Sequence, residues 1–298
     1  MMSKYKILSL DGGGIRGVIS AILLERLEKA ISGFITSLDL VAGTSTGGIL
    51  ALGLAHGLSP TNLKSLYIER GKAIFSHSLW DTLLNVGKVL GAEYSSSNLA
   101  AELQQRFGET TTLQDLGKKV VITAFDLDNQ HPEKRTWKPK IFHNLEGEGS
   151  DGQQLVYKVG LYTSAAPTYF PSADRFVDGG VYANNPSMVA LAQTQDRRYY
   201  ADPPNLQDIV LLSLGTGGTL EFIAGDNLNW GYGQWIWQRR ILSMIMDGAI
   251  GVADYQCRQI LANRYYRLNP IFPAGQSFPL DAVEPEEIQA LIEVAEGV

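Results

Sequence analysis

Ser45 stands in Gly43-Thr44-Ser45-Thr46-Gly47, a G-x-S-x-G pentapeptide. Flanking glycines let a chain turn sharply from strand into helix, which exposes a serine hydroxyl at the positive end of that helix. Such a serine becomes a nucleophile once a base takes its proton. The pentapeptide alone is a weak signal, since small residues recur at this spacing in glycine-rich turns. Its context says more: an apolar stretch precedes it and an apolar helical stretch follows.

The base is the next question. The chain has four histidines, His56, His77, His131 and His143, and none beyond position 143. In the common hydrolase order, serine is followed by an acid and then by a late histidine. His56 falls on the helix behind the serine, at the end that points away from it. His131 and His143 sit in a polar stretch. The expectation is therefore a base other than histidine. Asp178, in Asp178-Gly179-Gly180, offers one, because it follows a short strand and strand ends are where α/β sheets build their sites. A free aspartate, with a pKa of about 3.9, is a feeble base at neutral pH; burial raises that value and strengthens it. Taken alone, Asp-Gly-Gly reads more readily as a turn.

A third segment is Asp11-Gly12-Gly13-Gly14-Ile15-Arg16-Gly17. Glycines at 12, 14 and 17 satisfy the dinucleotide-binding pattern G-x-G-x-x-G, between a strand and a helix. The acid expected at the end of the second strand is missing; Asp39 stands at that strand's start. The other reading is an oxyanion hole, in which the amides of Gly12, Gly13 and Gly14 approach a developing negative charge at a helix N-terminus. Both readings use one physics, an anion held by amides. The serine on its elbow favours the hydrolase. Arg16 is a candidate for orienting the glycine loop, with surface solvation as the plain alternative.

These residues need a frame. Tyr5–Leu10, Asp39–Ala42, Lys119–Phe125, Lys140–His143, Arg175–Val177, Asp208–Leu214 and Tyr265–Leu268 read as short, mostly buried strands. Between them, helical spacing predicts helices over Ile15–Ala30, from the elbow to about Ala55, from Ser59 or Thr61 to about Arg70, and over Asn98–Phe107 and Val156–Ala166. Asn185-Pro186 opens another helix, with Asn as cap and Pro at the first position. The last predicted helix is Glu284–Glu296. Alternation of this kind predicts an α/β fold, three layers with a mostly parallel sheet. No repeat or linker is visible, so the chain reads as one domain, 1–298, with its motifs in about 5–218 and 219–298 unassigned.

Composition narrows the function. The net charge of −6 argues against a nucleic-acid partner, which needs clustered Lys and Arg. Cys257 is the only cysteine, so no intrachain disulfide forms, and a reducing, cytoplasmic setting is expected. The N-terminal apolar run is broken by Asp11 and is no signal peptide. Leu40–Leu63 carries no formal charge and is long enough to span a bilayer, yet its glycines and Pro60 argue for a buried strand, turn and helix. No cluster of His, Cys and carboxylates has zinc spacing, and Asp126 with Asp128 lacks the rest of a calcium loop.

Taken in order, the three motifs resemble those of the patatin-like lipid acyl hydrolases of plants and bacteria. Asp178 to Pro186 (DGGVYANNP) and Leu212 to Gly217 (LSLGTG) extend the likeness. The resemblance implies a three-layer α/β/α fold and a Ser45–Asp178 dyad without histidine. It also implies an oxyanion hole at Gly12, Gly13 and Gly14, an acyl-enzyme, and no metal or cofactor. The expected substrates are fatty acyl esters of phospholipids or glycolipids. The alternatives are a carboxylesterase for short soluble esters and an effector phospholipase switched on by a small ligand. Trp230, Tyr232, Trp235 and Trp237, followed by Arg239 and Arg240, suit peripheral contact with a membrane. They suit better the packing of a C-terminal helix on the sheet, because aromatics bury large areas and most often serve cores.

Overall fold

The computed structural model describes residues 4–75, 96–167, 169–220 and 240–298. Among the described residues seven strands form one sheet: β1 (Tyr5–Leu10), β2 (Leu40–Thr44), β3 (Lys119–Asp126), β4 (Lys138–His143), β5 (Phe176–Asp178), β6 (Ile209–Leu214) and β7 (Tyr265–Leu268). The order is β4-β3-β2-β1-β6-β7, with β5 paired to β3. The pairs β1–β2, β2–β3, β1–β6 and β6–β7 are parallel, and only β4 and β5 run antiparallel to β3. The sheet is thus mostly parallel, and its middle strands are buried on both faces: all five residues of β2 are buried.

Helices cover the sheet: α1 (Gly17–Ala30), α2 (Thr46–His56), α3 (Pro60–Phe75), α4 (Ser96–Phe107), α5 (Val156–Ser164), α6 (Gly180–Ala183), α7 (Ser187–Thr194), α8 (Arg240–Leu261) and α9 (Pro285–Glu296). Ten of the eleven residues of α2 are buried, as expected of a helix apolar on all sides. The charge-free stretch Leu40–Leu63 is therefore β2, its turn, α2 and the start of α3. Among the described residues, no helix is long and apolar enough to cross a membrane. Leu24 on α1 shares one hydrophobic cluster with Ile288 and Leu291 of α9.

Differences from the sequence reading are local. The helix expected from Ile15 starts at Gly17, after a tight 3-10 turn over Gly14–Arg16. The helix expected at Asn185-Pro186 begins one residue later, because α6 occupies the residues just before it and the Asn185 side chain accepts from the Ser187 amide at 3.0 Å. The segment Trp230 to Trp237 lies outside the described residues.

One feature of the sheet matters most for chemistry. The register of β2 on β3 ends at Thr44 opposite Thr123. The register of β5 on β3 begins with Asp178 opposite Ala124, the next residue. Because β4 pairs with β3 over these same residues, β5 must lie along the β2 edge. Parallel β2 and antiparallel β5 therefore meet end to end, each by its C-terminus. The residue that follows β2 is Ser45, and the residue that ends β5 is Asp178.

Candidate active site

Ser45 sits between β2 and α2 with φ 54° and ψ −125°. A side chain in this region costs about 1–3 kcal/mol, which the surroundings must offset. They do so with hydrogen bonds. The Ser45 amide donates to Thr163 Oγ1 at 2.8 Å, and Thr163 in turn donates to the Thr123 carbonyl at 2.7 Å. The neighbouring Thr44 hydroxyl bonds to Thr123 Oγ1 at 2.7 Å and to the Ala183 carbonyl at 2.6 Å. The glycines of the pentapeptide make the turn possible. A Cβ on Gly43 would lie 2.1 Å from the Gly47 carbonyl oxygen, and one on Gly47 would lie 2.2 Å from that of Leu10.

Asp178 is buried, and its carboxyl lies in hydrogen-bonding reach of the Ser45 hydroxyl. Burial pushes its pKa up to about 7, while the hydrogen bonds from Ser45 and from the Gly180 amide hold it lower than burial alone would. The Gly180 amide donates to Asp178 Oδ1 at 2.7 Å. A carboxylate with a pKa near neutrality is matched to general-base work in water at pH 7.

The glycine loop lies beside this pair. A Cβ on Gly12 would sit 3.2 Å from the Ser45 Cβ, and Gly13 and Gly14 line the same cleft as Ser45 and Asp178. The Gly12 amide donates to the Asn184 carbonyl at 2.9 Å, which ties the loop to the segment between α6 and α7. Among the described residues, no acceptor is bound to the amides of Gly13 and Gly14. Arg16 points its Nε at the Gly13 carbonyl, 3.4 Å away, with its guanidinium 6.0 Å from the Phe272 ring centre. It is placed against the loop and half-buried, so pure surface solvation does not describe it.

The cleft is narrow, with a cavity volume of about 30 Å³, and is walled mainly by Ile49, Leu99, Phe170, Met246 and Leu280. None of its described lining residues is histidine. His56 stacks edge-on against Phe107, with ring centres 5.7 Å apart. His131 closes a turn, accepting from the amides of Glu133 and Lys134 at 3.2 and 3.0 Å. His143 is buried on β4, 4.3 Å from the Tyr199 ring, where burial lowers its pKa. His77 lies outside the described residues. No group of three His, Cys, Asp or Glu side chains among the described residues is arranged to hold a metal ion.

Two contributors were not visible from residue type. Thr163, on α5, supports the strained serine. Arg267, on β7, forms a two-pronged ion pair with Asp11, at 2.9 and 2.5 Å. Both lie more than a hundred residues from their partners, and neither stands in a motif.

Comparison with known proteins gives the same grouping. A family model described as patatin-like phospholipase matches residues 8–191. A cGAMP-activated phospholipase of Pseudomonas aeruginosa is 33% identical over 96% of this chain and 84% of its own length. A protein of the same description from Escherichia coli is 36% identical over 72% of this chain and 63% of its own length. The potato protein Patatin-2-Kuras 4 is 29% identical over 97% of this chain and 85% of its own. With its serine elbow, glycine loop and Asp-Gly-Gly turn drawn together at the carboxyl ends of central strands, the chain belongs to the patatin-like phospholipase family.

Proposed function

We propose that this chain hydrolyses fatty acyl esters of phospholipids or glycolipids through a Ser45–Asp178 dyad. Asp178 takes the Ser45 hydroxyl proton as Oγ attacks the ester carbonyl carbon. The carbonyl electrons move onto oxygen, and that oxyanion rests against the amides of Gly13 and Gly14. Collapse breaks the ester C–O bond, and the departing lysolipid oxygen takes the proton back from Asp178. Water then attacks the acyl-enzyme by the same route, which releases the fatty acid and restores Ser45.

The observation that carries this reading is that a serine on a strained turn and a buried carboxylate line one apolar cleft. The apolar walls favour a long acyl chain over a short soluble ester. The decisive experiment incubates the protein with mixed lipids and identifies the products by mass spectrometry, beside Ser45→Ala. Free fatty acid and lysolipid that vanish in Ser45→Ala support the proposal. Products that persist in that variant overturn it.

A second reading concerns control. The bacterial relatives are named cGAMP-activated, which favours an enzyme that is silent until a cyclic dinucleotide binds. Hydrolysis measured with and without cGAMP separates this from constitutive activity. Peripheral contact with the membrane is also proposed. The residues first expected to make it, Trp230, Trp235 and Trp237, lie outside the described residues. The support comes instead from α8, where Ile241, Met244, Ile245, Val252 and Tyr255 are exposed.

A further inference from the structure

Asp11 opens the glycine loop, and its surroundings are unusual for a charged group. Its carboxylate is 1% exposed and the Arg267 side chain 7%. A buried charge is tolerated only when it is paired and hydrogen-bonded. Both conditions are met: Arg267 Nη1 donates to Asp11 Oδ1 and to Ser213 Oγ (2.9 and 2.7 Å), and Nη2 donates to Asp11 Oδ2 at 2.5 Å.

The sheet explains why arginine is needed. Arg267 stands opposite Ser213 on β6, while Asp11 follows β1, on the far side of β6. The side chain must cross a whole strand, about 4.8 Å from each neighbour, and still present two parallel donors. Lysine has a point charge and no fork.

The ion pair sits at the root of the loop. The Asp11 amide donates to the Leu214 carbonyl, so Asp11 is fixed by backbone and side chain together. Downstream, the loop is held by uncharged contacts: Gly12 N–H to the Asn184 carbonyl, Thr216 Oγ1 to the Gly12 carbonyl, and Ile15 N–H to the Leu280 carbonyl. Gly13 and Gly14, whose amides bind no acceptor among the described residues, lie between these anchors. Arg267 does not itself line the cleft.

We propose that Arg267 is a positioning residue, which acts through Asp11 to aim the Gly13 and Gly14 amides at the oxyanion. The proposal rests on the dyad reading above and adds a residue beyond the 8–191 span of the family model. A merely structural ion pair makes a different prediction, because many buried pairs serve neither stability nor function when replaced by a neutral, well-packed set.

The test uses the full chain, a soluble p-nitrophenyl ester and a fluorophosphonate probe that labels active serines. Ser45→Ala serves as the blank. Arg267→Lys keeps the charge and loses the fork. The expected result is a folded protein whose kcat falls at least 10-fold at little-changed KM, whose labelling slows in parallel, and whose acid limb in kcat/KM stays at the wild-type pH. An unchanged kcat in folded Arg267→Lys overturns the proposal, and so does a moved acid limb, which would place the effect on Asp178. Should Arg267→Lys fail to fold, Ser213→Ala decides, since it removes one anchor of Arg267 and leaves the ion pair. A kcat lowered severalfold with a wild-type melting curve supports positioning; an unchanged kcat makes the pair structural only. A wild-type protein that neither hydrolyses nor is labelled sinks the dyad reading itself, and that outcome is distinct from a labelled wild type matched by Arg267→Lys.

Discussion

At the scale of the residue, the chemistry turns on how far burial moves one carboxylate. Asp178 is held at about 7, with burial as the main cause. In the proposed dyad Asp178 acts ionised, so kcat/KM on a soluble ester is expected to rise with pH through an apparent pKa near 7 and then level off. A limb near 4 would mean that burial does not tune the base. The same shift has a stability consequence. Between the unfolded value near 3.8 and the folded value near 7, the folded state binds the extra proton. Stability is therefore lost as pH rises across that window. Asp178→Asn removes the penalty, keeps an oxygen for the Gly180 amide, and should be more heat-stable than wild type at pH 8. About 4 kcal/mol is the ceiling for a shift of this size. At pH 3.5 the two proteins should melt alike. Activity should go the other way: Ser45→Ala and Asp178→Asn each lose several orders of magnitude, and the double variant is little worse than either, because the pair acts as a unit. A stabilised, inactive Asp178→Asn would show a site that sacrifices stability for function; an Asp178→Asn that melts earlier at pH 8 would contradict the burial argument.

At the scale of the element, the site is a matter of two strand ends and the helices that clamp them. The strands and the three motifs are legible in the sequence, because a buried strand needs a β-branched or leucine-rich run and a tight elbow needs glycine. Asp178 alone reads as part of a turn, and it becomes a candidate base only through the resemblance of its Asp-Gly-Gly to the family motif. What is not legible is the head-to-head meeting of β2 and β5, since a three-residue strand has no periodicity and its direction is set only by its partner. Thr163 is hidden for the same reason. A threonine near the end of an amphipathic helix carries no mark that it holds an amide 118 residues away. Nor does the glycine loop announce that its first amide donates to the Asn184 carbonyl. Two tests follow at this level. Thr163→Val keeps the shape and leaves the Ser45 amide and the Thr123 carbonyl without their shared partner. It should cost roughly 1–3 kcal/mol, seen as a lower melting temperature, with kcat reduced as the serine loosens. A Thr163→Val protein of wild-type stability and rate would remove the strut from the account. In the loop, Gly14 has φ +57°, and a Cβ there would lie 2.2 Å from the Leu280 carbonyl oxygen. Gly14→Ala should therefore lower both stability and turnover, and a fully active Gly14→Ala would refute an oxyanion role for this loop.

At the scale of the whole molecule, the question is how a chain with net charge −6 meets a lipid surface. Helix α8 is packed on one side, through Ala253, Cys257 and Leu261, and Met246 reaches from it to the cleft. Its other side follows helical spacing from Ile241 through Met244 and Ile245 to Val252 and Tyr255, with those side chains 42–64% exposed. The charged residues Asp247, Asp254 and Arg258 fall on a third side, between the two, by the 100° turn per residue. A helix with an apolar outer stripe and charges off to one side suits the headgroup boundary of a bilayer. Half-buried in lipid, each of these side chains would contribute about 2 kcal/mol by area, less the cost of ordering. Because Met246 lies on the same helix, a lipid drawn to this stripe would be delivered near Ser45. Met244→Glu with Val252→Glu leaves Met246 and every residue of the dyad and loop in place. The variant should bind phosphatidylcholine–phosphatidylglycerol vesicles at least 10-fold more weakly in a flotation assay and lose hydrolysis of those vesicles in proportion. Its rate on a soluble p-nitrophenyl ester and its melting temperature should match wild type. Unchanged vesicle binding would move the docking surface away from α8, and a joint loss of soluble-ester activity and stability would show that the stripe belongs to the packing of the fold.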